Sequence, residues 1–372
     1  MAITDGARLA LEGLPQYIRD QMLLPTRRSY LLNEIRKRGR ETYNNGGLNI
    51  EWHPQMRRNK LNLGAGNPTI ASFPQINPYI KATLNWKTAW MGLTYSEIQL
   101  LATANEQDRF FKKLERDGKE LARDFPERFA PHLFADSGNN SEDLDGLYTF
   151  SKCSGAASAT LQPAMGQPLG IPNATYAGIS CALGNIGQWS GNWPQFGTDP
   201  DSCDYEYYHW SPMVVDYNSS WLISYGETAG WDQCGIYALN YLYTFSHALS
   251  GKAPDVIVMD PDLKRRLANY LQKFQQLILE PESKEYDAGH EVHSYNGIKM
   301  VFEFGVPTGC AFGVTFDKLE LKCMTDNFIR IKSFEEITTG DTLWKVSWFG
   351  ALWVESPMYF PSLQPISSGG TY

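Results

Sequence analysis

Few residues in this chain stand at spacings that do chemistry. His290-Glu-Val-His293 brings two imidazoles and a carboxylate together. A zinc-hydrolase helix needs two residues between the glutamate and the second histidine, so that both rings share one face. Only one stands there, and an exposed loop is expected instead. Asp199-Pro-Asp201-Ser-Cys-Asp204 gathers oxygen ligands at short spacing but lacks the glycine and closing glutamate of a calcium loop. Gly184-Asn-Ile-Gly187 is no phosphate loop following a strand, and no G-x-S-x-G nucleophile turn occurs.

Six cysteines (Cys153, Cys181, Cys203, Cys234, Cys310 and Cys323) are scattered without a C-x-x-C pair, so they are read as reduced, mostly buried thiols. Asn139-Asn-Ser141, Asn173-Ala-Thr175 and Asn218-Ser-Ser220 fit the glycosylation pattern by composition alone. Between Gly187 and Trp231 stand Trp189, Trp193, Trp210, Trp221 and Trp231 among Tyr205, Tyr207 and Tyr208. Flat rings of this kind stack on sugars, and they also fill cores and subunit interfaces. A glycosidase would add two carboxylates, with Glu206 and Glu227 as candidates, set across a cleft. The search for catalytic chemistry otherwise comes back empty: no cofactor, no metal and no enzymatic activity are expected.

The 372 residues allow about two domains with an ordinary core. No run approaches the roughly 20 apolar residues of a membrane span, and Met1-Ala-Ile-Thr-Asp lacks the start of a signal peptide, so synthesis in a cytoplasm is expected. Charge is uneven. Residues 1–60 carry eleven Lys or Arg against six Asp or Glu, a balance of +5, which leaves −13 of the net −8 on the rest. A basic arm on an acidic body points to contact with another copy's acidic surface or with a polyanion.

The elements are organised around residues 80–129. Ile80, Ala82, Leu84, Trp86 and Trp90 alternate with Lys81, Thr83, Asn85 and Lys87, a strand pattern with the aromatics on one face. Thr94-x-x-Glu97 then has the form of a capping box. Leu100, Ala104, Phe111, Leu114, Leu121 and Phe125 recur at helical spacing, so a helix over Ser96–Phe125 about 45 Å long is expected, ending or kinking at Pro126.

Ahead of it lie two short helical candidates, one around Leu9, Leu11, Leu14 and Ile18 and a basic one over Arg27–Arg40 with Leu31, Leu32 and Ile35 on one side. Leu48–Arg58 and the Ile80 strand then predict an antiparallel ribbon with a long tip. A two-stranded ribbon is marginal alone in water, so it is expected to lie on a neighbour.

Farther on, Gly146–Phe150 reads as a short strand and Ser154–Ala159 as a small-residue linker. Asp232–Leu249 reads as a helix apolar nearly all round and hence buried, closed by Gly251. Asp255–Met259 is a buried strand, and Pro261 opens a helix over Asp262–Leu279. Strands follow at Gly297–Phe304, Ala311–Phe316, Leu319–Met324, Phe328–Lys332 and Leu343–Glu355, with a mobile tail from Pro361. Helices and strands in this order argue for an α+β fold.

The order of parts resembles the tailed-phage major capsid protein family of the Hong Kong 97 type. The residues that carry it are the basic helical arm (Leu14–Tyr43), the ribbon (Leu48–Thr94) with Ala82-Thr-Leu-Asn-Trp-Lys, the long helix, and Gly146-Leu-Tyr. Ala253-Pro-Asp-Val-Ile-Val-Met-Asp-Pro-Asp-Leu, Asn296-Gly-Ile-Lys-Met-Val-Phe, Val306-Pro-Thr-Gly-Cys and Val346-Ser-Trp-Phe-Gly-Ala-Leu-Trp-Val complete it.

The resemblance implies an N-terminal arm (1–47), an extended β-hairpin loop (48–95), a peripheral domain built on a spine helix (96–150 and 326–366), an axial domain (151–325) and a tail (367–372). It implies a major capsid protein forming pentamers and hexamers around double-stranded DNA, located in the virion and assembled in the host bacterial cytoplasm. Implied partners are other copies, a portal, a cement protein and non-specifically bound DNA, with no membrane. Only about 45 residues precede the loop, so a separate scaffolding protein is expected. Assembly contacts are expected at Arg27, Arg28, Arg36, Arg57, Arg58, Lys60, Trp86 and Trp90. Two alternatives remain at this point: an aromatic-rich carbohydrate-binding protein or glycosidase, and a phage tail or connector protein.

Overall fold

The computed structural model describes residues 29–56, 79–96, 124–156, 170–182, 210–219, 230–273, 293–335 and 341–366, with short pieces at 116–117, 120–121, 185–186, 189–190 and 222. Helix α1 (Tyr30–Lys37) is followed by strands β1 (Glu41–Thr42), β2 (Ile50–Trp52), β3 (Ala82–Leu84) and β4 (Lys87–Tyr95). Helix α2 (Leu147–Ser151) precedes β5 (Val214–Asp216), α3 (Trp231–Ser250), β6 (Val256–Met259) and α4 (Pro261–Lys273). The remainder is strand-rich: β7 (His293–Tyr295), β8 (Ile298–Phe302), β9 (Ala311–Val314), β10 (Leu319–Cys323), β11 (Arg330–Glu335), β12 (Thr342–Val354) and β13 (Ser362–Gln364).

Two sheets carry the architecture. In the first, the thirteen-residue strand β12 runs through the middle. It pairs antiparallel with β4 from Thr342↔Tyr95 to Gly350↔Lys87, and on its other side with β11 and then β10. Strand β1 adds to β10 in parallel. The second sheet has the order β5-β13-β9-β6-β8-β7.

Strand β6 explains why its sequence reads as an unbroken apolar run. Ile257 and Met259 pack with Ala238, Leu239, Leu242, Leu263 and Leu267 of α3 and α4. Val256 and Val258 point into the other core, with Phe134 and Phe312. Both faces are covered, so nothing along the strand gains from being polar. That second core continues to the first sheet, where Phe129 meets Trp348 at 4.7 Å and Phe328 at 5.5 Å between ring centroids.

Helix α3 closes at Gly251 in the left-handed conformation expected of it (φ 71°). Its burial is one-sided, however: Trp231, Cys234, Ala238, Leu239 and Leu242 are inside, whereas Tyr237, Asn240 and Thr244 are exposed. Apolar composition all round therefore does not mean burial all round here.

Several other expectations are corrected. Gly146 caps the short helix α2 instead of opening a strand, because Leu147, Phe150 and Ser151 then fall on one buried face. Helical residues 124–129 run through Pro126, and a 3-10 turn over Ala130–Phe134 follows, so the helix does not stop at that proline. Cys153–Ala156 is not a linker but pairs with Gly170–Pro172. His293, expected in a loop, begins β7, while His290 lies outside the described residues. The expected tail from Pro361 is in its first part the buried strand β13, held between β5 and β9. Most of the long helix predicted over 96–125, the ribbon tip, and the remainder of α4's predicted span to Leu279 lie outside the described residues.

Candidate assembly surface

Helix α1 lies within the basic stretch of residues 1–60, and its seat is made by a residue far along the chain. Ser29 is the N-cap, its Oγ accepting the Leu32 N–H at 3.3 Å. The same hydroxyl donates to Glu303 Oε1 at 2.6 Å, and the Leu31 N–H donates to Glu303 Oε2 at 2.9 Å. A carboxylate thus sits at the positive end of a helix whose own first turn holds no acid. Glu303 is fully buried, and burial pushes its carboxyl up to about 7 against the pull of the Ser29 and Leu31 hydrogen bonds. Leu31, Leu32 and Ile35 are completely buried beneath, roughly 1.5–3 kcal/mol of apolar transfer each.

The described cations of this stretch pair with acids of the same chain. Arg36 Nε pairs with Glu41 at 2.7 Å and its guanidinium lies 4.3 Å from the Phe328 ring centroid. Arg38 pairs with Glu34 at 3.1 Å, and Arg40 with Asp317 at 2.9 Å. Of the predicted basic contacts only Arg36 is described; Arg27, Arg28, Arg57, Arg58 and Lys60 lie outside the described residues.

The ribbon is antiparallel as expected, with Ile50↔Leu84, Glu51↔Thr83 and Trp52↔Ala82 in register and a bridge at Gln55↔Tyr79. Its base rests on this chain's own core through Ile50, Met56, Ala82 and Leu84. Trp52 donates to the Glu355 carbonyl at 3.2 Å and meets Trp353 edge-on at 5.7 Å.

Trp86 and Trp90 part company. Trp86 packs against the core and its Nε1 donates to the Gly47 carbonyl at 3.1 Å. Trp90 is 69% exposed. The strand breaks at Asn85 and Trp86 and restarts out of phase, so Ala89, Met91 and Leu93 take the inner face and Trp90 the outer one. The single-face alternation expected across this stretch is therefore wrong at Trp90.

Among the described residues no three His, Cys, Asp or Glu come together as a metal site requires. Trp210 and Trp231, the two tryptophans of the aromatic stretch whose burial is described, are core residues at 1% and 2% exposure. Glu206 and Glu227 lie outside the described residues. Cys153, Cys181, Cys310 and Cys323 form no disulfide, and burial pushes the thiols of Cys181, Cys310 and Cys323 up to about 12. Among the described residues no helix is long and apolar enough to cross a membrane.

No protein-family model and no curated protein matches the sequence. Solved structures do match. The chain aligns with the subunit in a cyanophage A-1(L) capsid asymmetric unit over 88% of its length and 90% of that chain, at TM-score 0.53 and 12% identity. The fold is the capsid fold of the Hong Kong 97 type. Weaker resemblances include the capsids of an empty gene transfer agent (GTA) particle (TM-score 0.45, 10% identity, 93% and 98% covered) and a native one (0.44, 12%, 89% and 89%).

On this capsid fold the described residues leave several large apolar side chains in solvent that sequence reading did not single out. Leu48 is 90% exposed, Phe304 85%, Tyr79 52% and Phe334 48%. Glu303 was also missed. Its only local signal is an acidic residue inside the apolar run from Ile298 to Val306, and nothing nearby in sequence names its partner.

Proposed function

We propose that the chain is a major capsid protein, a structural and non-catalytic subunit that assembles as pentamers and hexamers into the icosahedral head of a tailed phage. The observation that carries this reading is the match in fold to a cyanophage capsid subunit over nearly the whole length of both chains. Exposed Trp90, Leu48 and Phe304 support it, since a lattice of copies gives such side chains a place to be buried.

In this reading the shell encloses double-stranded DNA, which touches it through non-specific, salt-dependent contacts. A separate scaffolding protein, a portal and a cement protein are the partners, the particle forms in the bacterial cytoplasm, and the chain ends in the virion. Arg27, Arg28, Arg57, Arg58 and Lys60 make contacts between copies. The division into arm, loop, peripheral and axial domains follows the boundaries given above.

Sedimentation velocity on the purified protein, with and without co-expressed scaffolding protein, tests the reading. Capsomers and closed shells are expected; a single small species under every condition would overturn it.

A further inference from the structure

The outer face that β4, β11 and β12 form carries cations that no carboxylate among the described residues meets. Antiparallel register sets Lys332 of β11 directly opposite Lys345 of β12, with Gly92 of β4 on the far side. Two residues along, Arg330 stands opposite Ser347, which in turn faces Trp90. Arg330, Lys332 and Lys345 are all exposed. None of the outward positions of the three strands is acidic, and among the described residues no carboxylate pairs with any of the three cations. The Lys345 ammonium instead lies 5.3 Å from the Trp90 ring centroid.

Like charges directly opposite on neighbouring strands destabilise a sheet. Here a third cation and two exposed aromatics, Trp90 and Phe334, surround the pair. We infer that this face docks an acidic surface of a second copy of the chain, an inference that rests on the shell reading above. Two features select that occupant. Residues 61–372 carry −13, so another copy brings an excess of carboxylates to any contact it makes. Exposed Trp, Phe and Arg together match the anchor residues of protein interfaces, whereas duplex phosphates are met by cations and polar groups and gain nothing from Trp90 or Phe334.

The test uses full-length protein assembled into shells free of nucleic acid. Lysines are acetylated briefly in free subunits and in shells and read by mass spectrometry. Lys332 and Lys345 are expected to be about tenfold less reactive in the shells, as a desolvated contact requires. A zero-length carbodiimide should join at least one of them to an Asp or Glu of another copy, identified in shells mixed from light and isotope-labelled protein. The double variant Lys332→Glu with Lys345→Glu should keep the circular dichroism and thermal midpoint of the parent but need about tenfold more protein to assemble. Shells in which both lysines stay fully reactive would overturn the inference while leaving the shell reading intact. Protection that appears only after DNA is added would overturn it in favour of nucleic acid. A parent chain that forms no shells at all would remove both.

Discussion

Glu303 and Ser29 lie 274 positions apart in sequence and 2.6 Å apart in the fold. This one carboxylate completes the cap of α1 and ties that helix to the residue that follows β8.

Its titration gives the first prediction. An unfolded glutamate titrates near 4.5 and the buried one near 7, so between those values the folded chain holds a proton the unfolded chain has lost. The stability due to this group is highest below pH 4.5, falls as pH rises to 7, and is constant above. Glu303→Gln, a neutral isostere, removes that slope. Urea unfolding should show the variant gaining on the parent by roughly 3 kcal/mol from pH 4.5 to 7; parallel profiles would contradict the account. Glu303→Ala should instead destabilise at all pH values by about 1–3 kcal/mol, because the Ser29 hydroxyl and Leu31 amide lose their acceptor.

Tyr176 gives a second. Its fully buried hydroxyl accepts the Val354 N–H at 2.9 Å and donates to the Leu352 carbonyl at 3.3 Å, tying a short hairpin to the end of β12. Tyr176→Phe keeps the ring and strands both backbone groups, so a loss of about 1–3 kcal/mol is expected in chemical denaturation. An unchanged midpoint would mean that water replaces the hydroxyl.

The tryptophans of the first sheet should separate folding from association. Trp348 is completely buried against Phe129, and Trp348→Ala should cost about 3–5 kcal/mol. Trp90→Ala, on the opposite face, should change monomer stability by less than about 1 kcal/mol while weakening assembly measured by light scattering.

Gly350 of β12 stands opposite Cys323 of β10. A Cβ there would stand 2.3 Å from the Lys322 carbonyl oxygen and 2.5 Å from the Trp348 ring. Gly350→Ala should therefore destabilise by at least the 1–3 kcal/mol typical of overpacking, visible as a lowered thermal midpoint; full tolerance would show that the two strands separate easily.

What could be read from sequence follows physical range. Strand β6, helix α3 and the start of α4 were legible because apolar period, Gly251 and Pro261 act within a few residues of one another. Helix α2 was missed since five residues are too few for a helical period to declare itself. Trp90 was placed on the wrong face because a two-residue break resets the alternation without any proline or glycine to announce it. Strand β13 looked like a tail because Ser362 and Gln364 are polar. Their burial depends on distant partners, as in the Gln364 amide donating to the Ser151 carbonyl at 2.8 Å. Glu303 follows the same rule: its acceptor role exists only once α1 arrives from the other end of the chain.

Cryo-electron microscopy of the purified protein, alone and with the scaffolding protein proposed above co-expressed, tests the central claim most directly. Closed icosahedral particles built of five- and six-membered rings of this chain are predicted. Monomers, or open tubes of fixed diameter under the same conditions, would contradict it.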